Sequence, residues 1–157
     1  MNFSLAVRNR QRVRRVNARS FKKILGATLA ELGVENCELC FHLVGKKEMA
    51  KVNWNFLQHE GSTDVITFDL GELKTKNSKP KTVLTGEIFI CLDDAVVQAR
   101  EFGTSWQGEL VRYGVHGILH LLGHDDLHPV ARKLMKREEN RLVRLLARQF
   151  RLQSVSH

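Results

Sequence analysis

Apolar positions come in blocks along this chain, and their period changes from block to block. Residues 3–7, FSLAV, form a short strand candidate ahead of a basic stretch. From about Asn17, the positions Phe21, Ile24, Leu25, Thr28, Leu29 and Leu32 recur at three and four residues, which predicts a helix that Gly33 ends. Glu38–Val44 alternates as a strand does, Gly45 breaks it, and Met49, Val52 and Phe56 give residues 46–57 helical spacing. A loop over 59–62 leads into TDVITF, residues 63–68, whose β-branched side chains favour a strand. Residues 70–82 are polar, contain Pro80 and read as an exposed loop. VLTGEIFIC, residues 83–91, is the next strand, and a helix from Leu92 to Phe102 stops at Gly103. Thr104 or Ser105 then caps a helix through Trp106, Leu110, Tyr113, Ile118 and Leu122 to Gly123. Pro129 suits the first turn of a last helix, with an apolar stripe of Val130, Leu134, Leu142, Leu145, Leu146 and Phe150.

Strands and helices mixed in this order predict an α+β (mixed α/β) fold: one domain over 1–157, with a roughly four-stranded sheet packed by helices. The 157 residues are enough to bury a core, and neither an internal repeat nor a linker interrupts them. No run approaches the roughly 18 apolar residues of a membrane span. The N-terminus lacks the order of a secretion signal, so a cytoplasmic location without a membrane partner is expected. Three cysteines, Cys37, Cys40 and Cys91, then argue against structural disulfides. Cys37 and Cys40 form a CxxC, but residues three apart on a strand point to opposite faces, which removes the usual reading of that motif.

Lys plus Arg number 25 against 17 Asp plus Glu, a net charge of +8. The surplus gathers at Arg8–Lys23 and at Arg132–Arg151, and such clusters suit a nucleic-acid or ribosomal partner. In the second cluster Glu138 and Glu139 interrupt the run, which favours a plain amphipathic surface there.

The segment HGILHLLGHDD, residues 116–126, carries the candidate chemistry. His116 and His120 lie one helical turn apart, about 6 Å, a spacing that suits two ligands of one metal ion. The third ligand has to come from His124, Asp125, Asp126 or His128. On a continuous helix His124 would sit about 12 Å along the axis from His116, too far to share an ion. Gly123 can instead fold the chain back and bring Asp126 to face the histidines, with His128 and His124 as alternatives and Asp125 as a partner orienting a histidine. Three protein ligands and an open fourth position are the pattern of a catalytic zinc site, where the ion acidifies a water.

This segment resembles the signature His-Gly-x-Leu-His-Leu-x-Gly-(Tyr or His)-Asp-His of the YbeY endoribonucleases, the rRNA maturation factors. VNWNFLQHEGSTDVITF (52–68), GEIFIC (86–91) and Glu109-Leu110 resemble further family segments. The resemblance implies a single-strand-specific, metal-dependent endoribonuclease with one Zn2+ ion and no small-molecule cofactor. It implies action in maturation of the small-subunit rRNA 3′ end and in ribosome quality control. Ribosomal RNA and the small ribosomal subunit with its proteins are the implied partners. By motif position the metal ligands are His116, His120 and Asp126. Two positions depart from the family pattern: Asp126 stands for the usual histidine, and Leu57 for an arginine thought to help bind substrate or catalyse. His59, in the next loop, is a candidate substitute for that cation when protonated, against which stands that loop histidines usually have no catalytic role.

No general base can be named from the residues alone. Two other readings remain open: an RNA-binding or ribosome-assembly factor with a structural metal, which Leu57 makes credible, and a zinc protease. Gly117 weighs against the protease, because the glutamate of HExxH belongs at that position and glycine has no side chain to act as base.

Overall fold

The computed structural model describes residues 3–57, 64–71 and 83–157. Four strands make one sheet: β1 (Phe3–Asn9), β2 (Cys37–Val44), β3 (Val65–Asp69) and β4 (Leu84–Cys91). Five α-helices accompany it among the described residues: α1 (Ala18–Glu31), α2 (Lys46–Val52), α3 (Leu92–Phe102), α4 (Trp106–Leu121) and α5 (Pro129–Gln149). The strand order is β1-β2-β4-β3, with β1, β2 and β4 parallel and β3 antiparallel to β4. The expected α+β domain with a four-stranded sheet is therefore the observed one.

The register puts Leu5, Leu39 and Gly86 in one row across the sheet, and Val7, Phe41 and Ile88 in another on the same face. This face carries the main core, which α1 and α4 complete with Phe21, Leu25, Leu110 and Ile118, all fully buried. Cys37 belongs to it, whereas Cys40 is half-buried on the other face, as expected for strand residues three apart. A second, smaller core of Val44, Met49, Val52, Ile66 and Cys91 lies on that other face.

α4 is the central helix, because the close approach of its neighbours is written into its glycines. A Cβ at Gly114 would stand 2.7 Å from Leu25 Cδ2, and one at Gly117 would stand 2.8 Å from Ile88 Cγ2. Ser105, not Thr104, caps α4: its Oγ accepts from Gly108 N, while Thr104 Oγ1 donates to Glu109 Oε1. Gly123 takes φ +101° just past the C-terminus, so the expected turn is present there.

Two expectations from periodicity change. The helix predicted over 46–57 is α-helical only to Val52 and then widens into a π-helical turn, Asn53–Leu57. The wider turn carries an extra residue and breaks the stripe: Met49 and Val52 are buried, but Phe56 is 65% exposed, with its ring edge-on to Phe68. In α5 the buried row is Met135, Glu139, Leu142 and Leu146, while Val130 and Leu134 face outward. Stepping back from Leu146 and Leu142 by helical spacing reaches Glu139 and Met135, so Val130 and Leu134 are out of phase with the core stripe.

Candidate metal centre and its cavity

His116 and His120 project from the last two turns of α4, with ring centroids 4.6 Å apart. The turn at Gly123 brings Asp126 back toward them, and His116 Nε2 lies 4.0 Å from Asp126 Oδ2. One donor atom from each of His116, His120 and Asp126 lies within 4.8 Å of the others, whereas the rings of His124 and His128 join no such group.

Each histidine is oriented by its second nitrogen. His120 Nδ1 is 3.0 Å from the carbonyl oxygen of His124, which only accepts, so Nδ1 carries the hydrogen. His116 Nδ1 is 3.0 Å from Glu139 Oε2. Glu139 has a side chain only 5% exposed. Burial would raise its carboxyl pKa, but hydrogen bonds from His116 and Arg112 overcome that and hold it at about 2. An ionised carboxylate accepts, so His116 Nδ1 also donates. In the neutral rings that a metal ligand requires, each Nε2 then carries a lone pair, and the two Nε2 atoms face each other 3.1 Å apart. Two lone pairs converging beside a carboxylate fit a bound cation, and the donor set of two imidazoles and one carboxylate suits zinc. Burial and the neighbouring His116 both lower the His120 pKa, which keeps its ring in the neutral form a metal requires. Asp125 does not orient a histidine through the contact seen here: its Oδ1 accepts from Leu127 N and shapes the turn instead.

A second group with metal-ligating atoms, Cys40, His42 and Glu87, lies on the other face of the sheet. There the nitrogens are already used. Arg10 Nη1 sits 3.0 Å from His42 Nδ1 and can only donate, so Nδ1 accepts and His42 Nε2–H donates to Glu87 Oε1 at 3.1 Å. Arg10 is held in turn by Glu48. This cluster is a closed chain of hydrogen bonds without a free lone pair on the ring.

A cavity of about 210 Å³ opens beside His116 and Asp126, between α4, α5 and the start of β3. Arg112, Arg132 and Lys136 contribute positive charge to its wall, and Asp64 and Gln98 contribute polar groups. Arg112 donates to Glu139 and Asn140, and Arg132 Nε donates to the Asp126 carbonyl. The sequence reading missed Arg112 and Glu139 as parts of the site. Arg112 lies one turn before His116, and Glu139 is the charged residue in the buried stripe of α5; both spacings were available as signals. Leu57 ends the π-helical turn, but its side chain, like His59, lies outside the described residues.

The model of the family described as endoribonuclease YbeY matches residues 6–147. This chain belongs to the YbeY family. It is 33% identical over 125 residues to the endoribonuclease YbeY of Chlorobium phaeovibrioides, covering 80% of this chain and 79% of that one. Against the Salinibacter ruber endoribonuclease YbeY the identity is 30% over 131 residues, 83% of each chain. It is 35% identical over 117 residues to the Myxococcus xanthus YbeY, covering 74% of this chain but only 39% of that longer protein. The solution structure of TM1509 from Thermotoga maritima superposes with a TM-score of 0.63 at 26% identity, covering 92% of this chain and 91% of that one. No helix among the described residues is long and apolar enough to cross a membrane.

Proposed function

We propose that this YbeY-family chain is a metal-dependent endoribonuclease specific for single-stranded RNA, with one zinc ion held by His116, His120 and Asp126. The observation that carries the reading is the pair of facing Nε2 atoms beside Asp126, at the mouth of a cavity walled by Arg112, Arg132 and Lys136. A divalent ion held there supplies Lewis-acid polarisation of a phosphoryl oxygen and acidifies water. The chain's own residues do the rest. Glu139 and the His124 carbonyl fix the imidazole tautomers, and the cations of the cavity wall receive the phosphodiester. Ribosomal RNA on the small subunit is the proposed substrate, at the 3′ end of its RNA and in ribosome quality control, in the cytoplasm.

Cleavage of unstructured RNA by the purified protein, with and without chelator, tests the activity; chelator-insensitive cleavage, or none, overturns it. Mapping of rRNA ends in cells lacking the protein tests the ribosomal role, with unaltered ends as the contrary result. Leu57 favours a second reading, an RNA-binding assembly factor with a structural metal. RNA binding without chelator-sensitive cleavage selects it. The protease reading has lost its footing, because position 117 faces Ile88 in the core and not the cavity.

A further inference from the structure

Glu139 changes the meaning of the arginines on α5. In sequence it stands among them as a neutralising acid, but in the fold it points inward to His116 and Arg112. Glu138 accepts from Arg141, which also reaches Glu31. Arg137, Arg144 and Arg148 are exposed and have no carboxylate partner among the described residues. With Arg141 they are spaced four, three and four residues apart, so they form one stripe about 16 Å long on a single flank of the helix. That stripe lines a groove of about 620 Å³, whose wall also includes His124. The His124 carbonyl accepts from His120, so the groove begins at the turn that builds the metal centre.

We propose that this groove holds the backbone phosphates of the RNA strand that runs out of the metal cavity, with Arg137, Arg144 and Arg148 as the phosphate-binding residues. The inference rests on the RNA reading above and adds the path of the substrate beyond the reacting phosphate. Guanidinium forks match phosphate oxygens bidentately, which favours this ligand over a diffuse acidic surface. Apart from His124 at the end beside the metal centre, the described lining has no aromatic ring on which a base could stack, so along the arginine stripe recognition is of the backbone and does not depend on sequence. Arg141 is tied to Glu31 and to Glu138, which also lines the groove, so its charge is already neutralised and it stands outside the phosphate-binding set.

The test is equilibrium binding of an unstructured RNA of roughly 12 nucleotides to the full chain in chelator, where cleavage cannot interfere, across a salt series. Arg137→Ala/Arg144→Ala/Arg148→Ala should weaken binding at least tenfold at low salt. It should lower the slope of log K against log salt by about 2, from three contacts at about 0.7 each on a single strand. The charge-matched control Lys46→Ala/Lys47→Ala/Lys51→Ala on α2, exposed and outside both basic clusters, should leave both quantities near wild type. Replacing the three arginines by lysine keeps the charge and should retain the slope while losing part of the affinity, which also guards against a folding defect. With metal restored, the alanine variant should show a raised KM on the long RNA and unchanged cleavage of a trinucleotide that fills only the cavity. Equal losses in the α2 control, or wild-type binding by the groove variant, overturn the inference. Loss of polyglutamate binding with RNA binding intact would assign the groove to an acidic protein partner and overturn it too. If the wild-type chain binds no RNA at all, the RNA reading itself fails, and the two failures are told apart.

Discussion

His116 on α4 and Glu139 on α5 are joined by a 3.0 Å hydrogen bond from Nδ1 to Oε2, so a buried carboxylate on one helix sets which nitrogen of the other faces the cavity. The contact ties helix packing to the proposed metal site: α5 cannot slide along α4 without turning a candidate ligand away.

Glu139→Gln therefore weakens zinc affinity by about ten- to hundredfold, measured by competition with a chromogenic chelator, because the amide no longer supplies the charge that polarises the imidazole. An unchanged affinity would show that Glu139 serves only packing.

The same carboxyl gives the metal-free protein an acid dependence. Its pKa is about 2 in the fold against 4.5 for the ordinary group, so the unfolded chain takes up the proton first as pH falls. The stabilisation is complete above 4.5 and is lost as the pH drops through about 2. It amounts to about 3 kcal/mol as an order of magnitude. Denaturant melts of wild type and Glu139→Gln, both metal-free, should differ in this window by a flatter pH dependence in the variant.

Asp126→Ala should lower the zinc content of the purified protein, whereas Asp126→His should retain it. Replacing a carboxylate by a neutral imidazole leaves more positive charge at the centre, and the pH–activity profile should move to lower pH. Full zinc content in the alanine variant would remove Asp126 as a ligand.

Gly117→Ala tests the reason for the absent glutamate. Alanine gains about 1 kcal/mol of helix propensity, but its Cβ would lie 2.8 Å from Ile88 Cγ2 in a fully packed core, where overpacking costs about 1–3 kcal/mol. The clash should win and lower the Tm by several degrees, and Gly117→Glu should fail to fold without gaining protease activity. A stabilised alanine variant would mean that Ile88 moves aside at little cost.

Thiol labelling checks the placement of the strands. Burial pushes the Cys91 thiol up to about 11 and also raises Cys37, while Cys40 is half-buried. Iodoacetamide at about pH 8 should modify Cys40 in the native protein and the other two only in denaturant, since the thiolate is the nucleophile. For Cys91 the folded state holds its proton above the ordinary value of 9.0, so its contribution to stability falls as the pH rises past that value.

Much of this molecule is determined locally and can be read along the chain. Helical spacing placed α1, α3 and α4, alternation and β-branching placed the strands, and His116, His120 and the positive-φ turn at Gly123 follow from residues within about one helical turn of each other. Local sterics and backbone hydrogen bonding decide such features, and both act between near neighbours. The limit shows at residues 53–57, where an apolar residue at helical spacing did not distinguish an α turn from a π turn.

Tertiary packing decided the rest. The order β1-β2-β4-β3 puts β4 beneath α4, and that contact makes Gly117 a packing residue instead of the site of a missing base. Glu139 looked like one more surface acid until α5 docked on α4; its burial then made it a histidine partner and left the outer arginines unneutralised. Which face of a charged helix is buried depends on a partner helix distant in sequence, so the same residues can carry opposite meanings until the fold is formed.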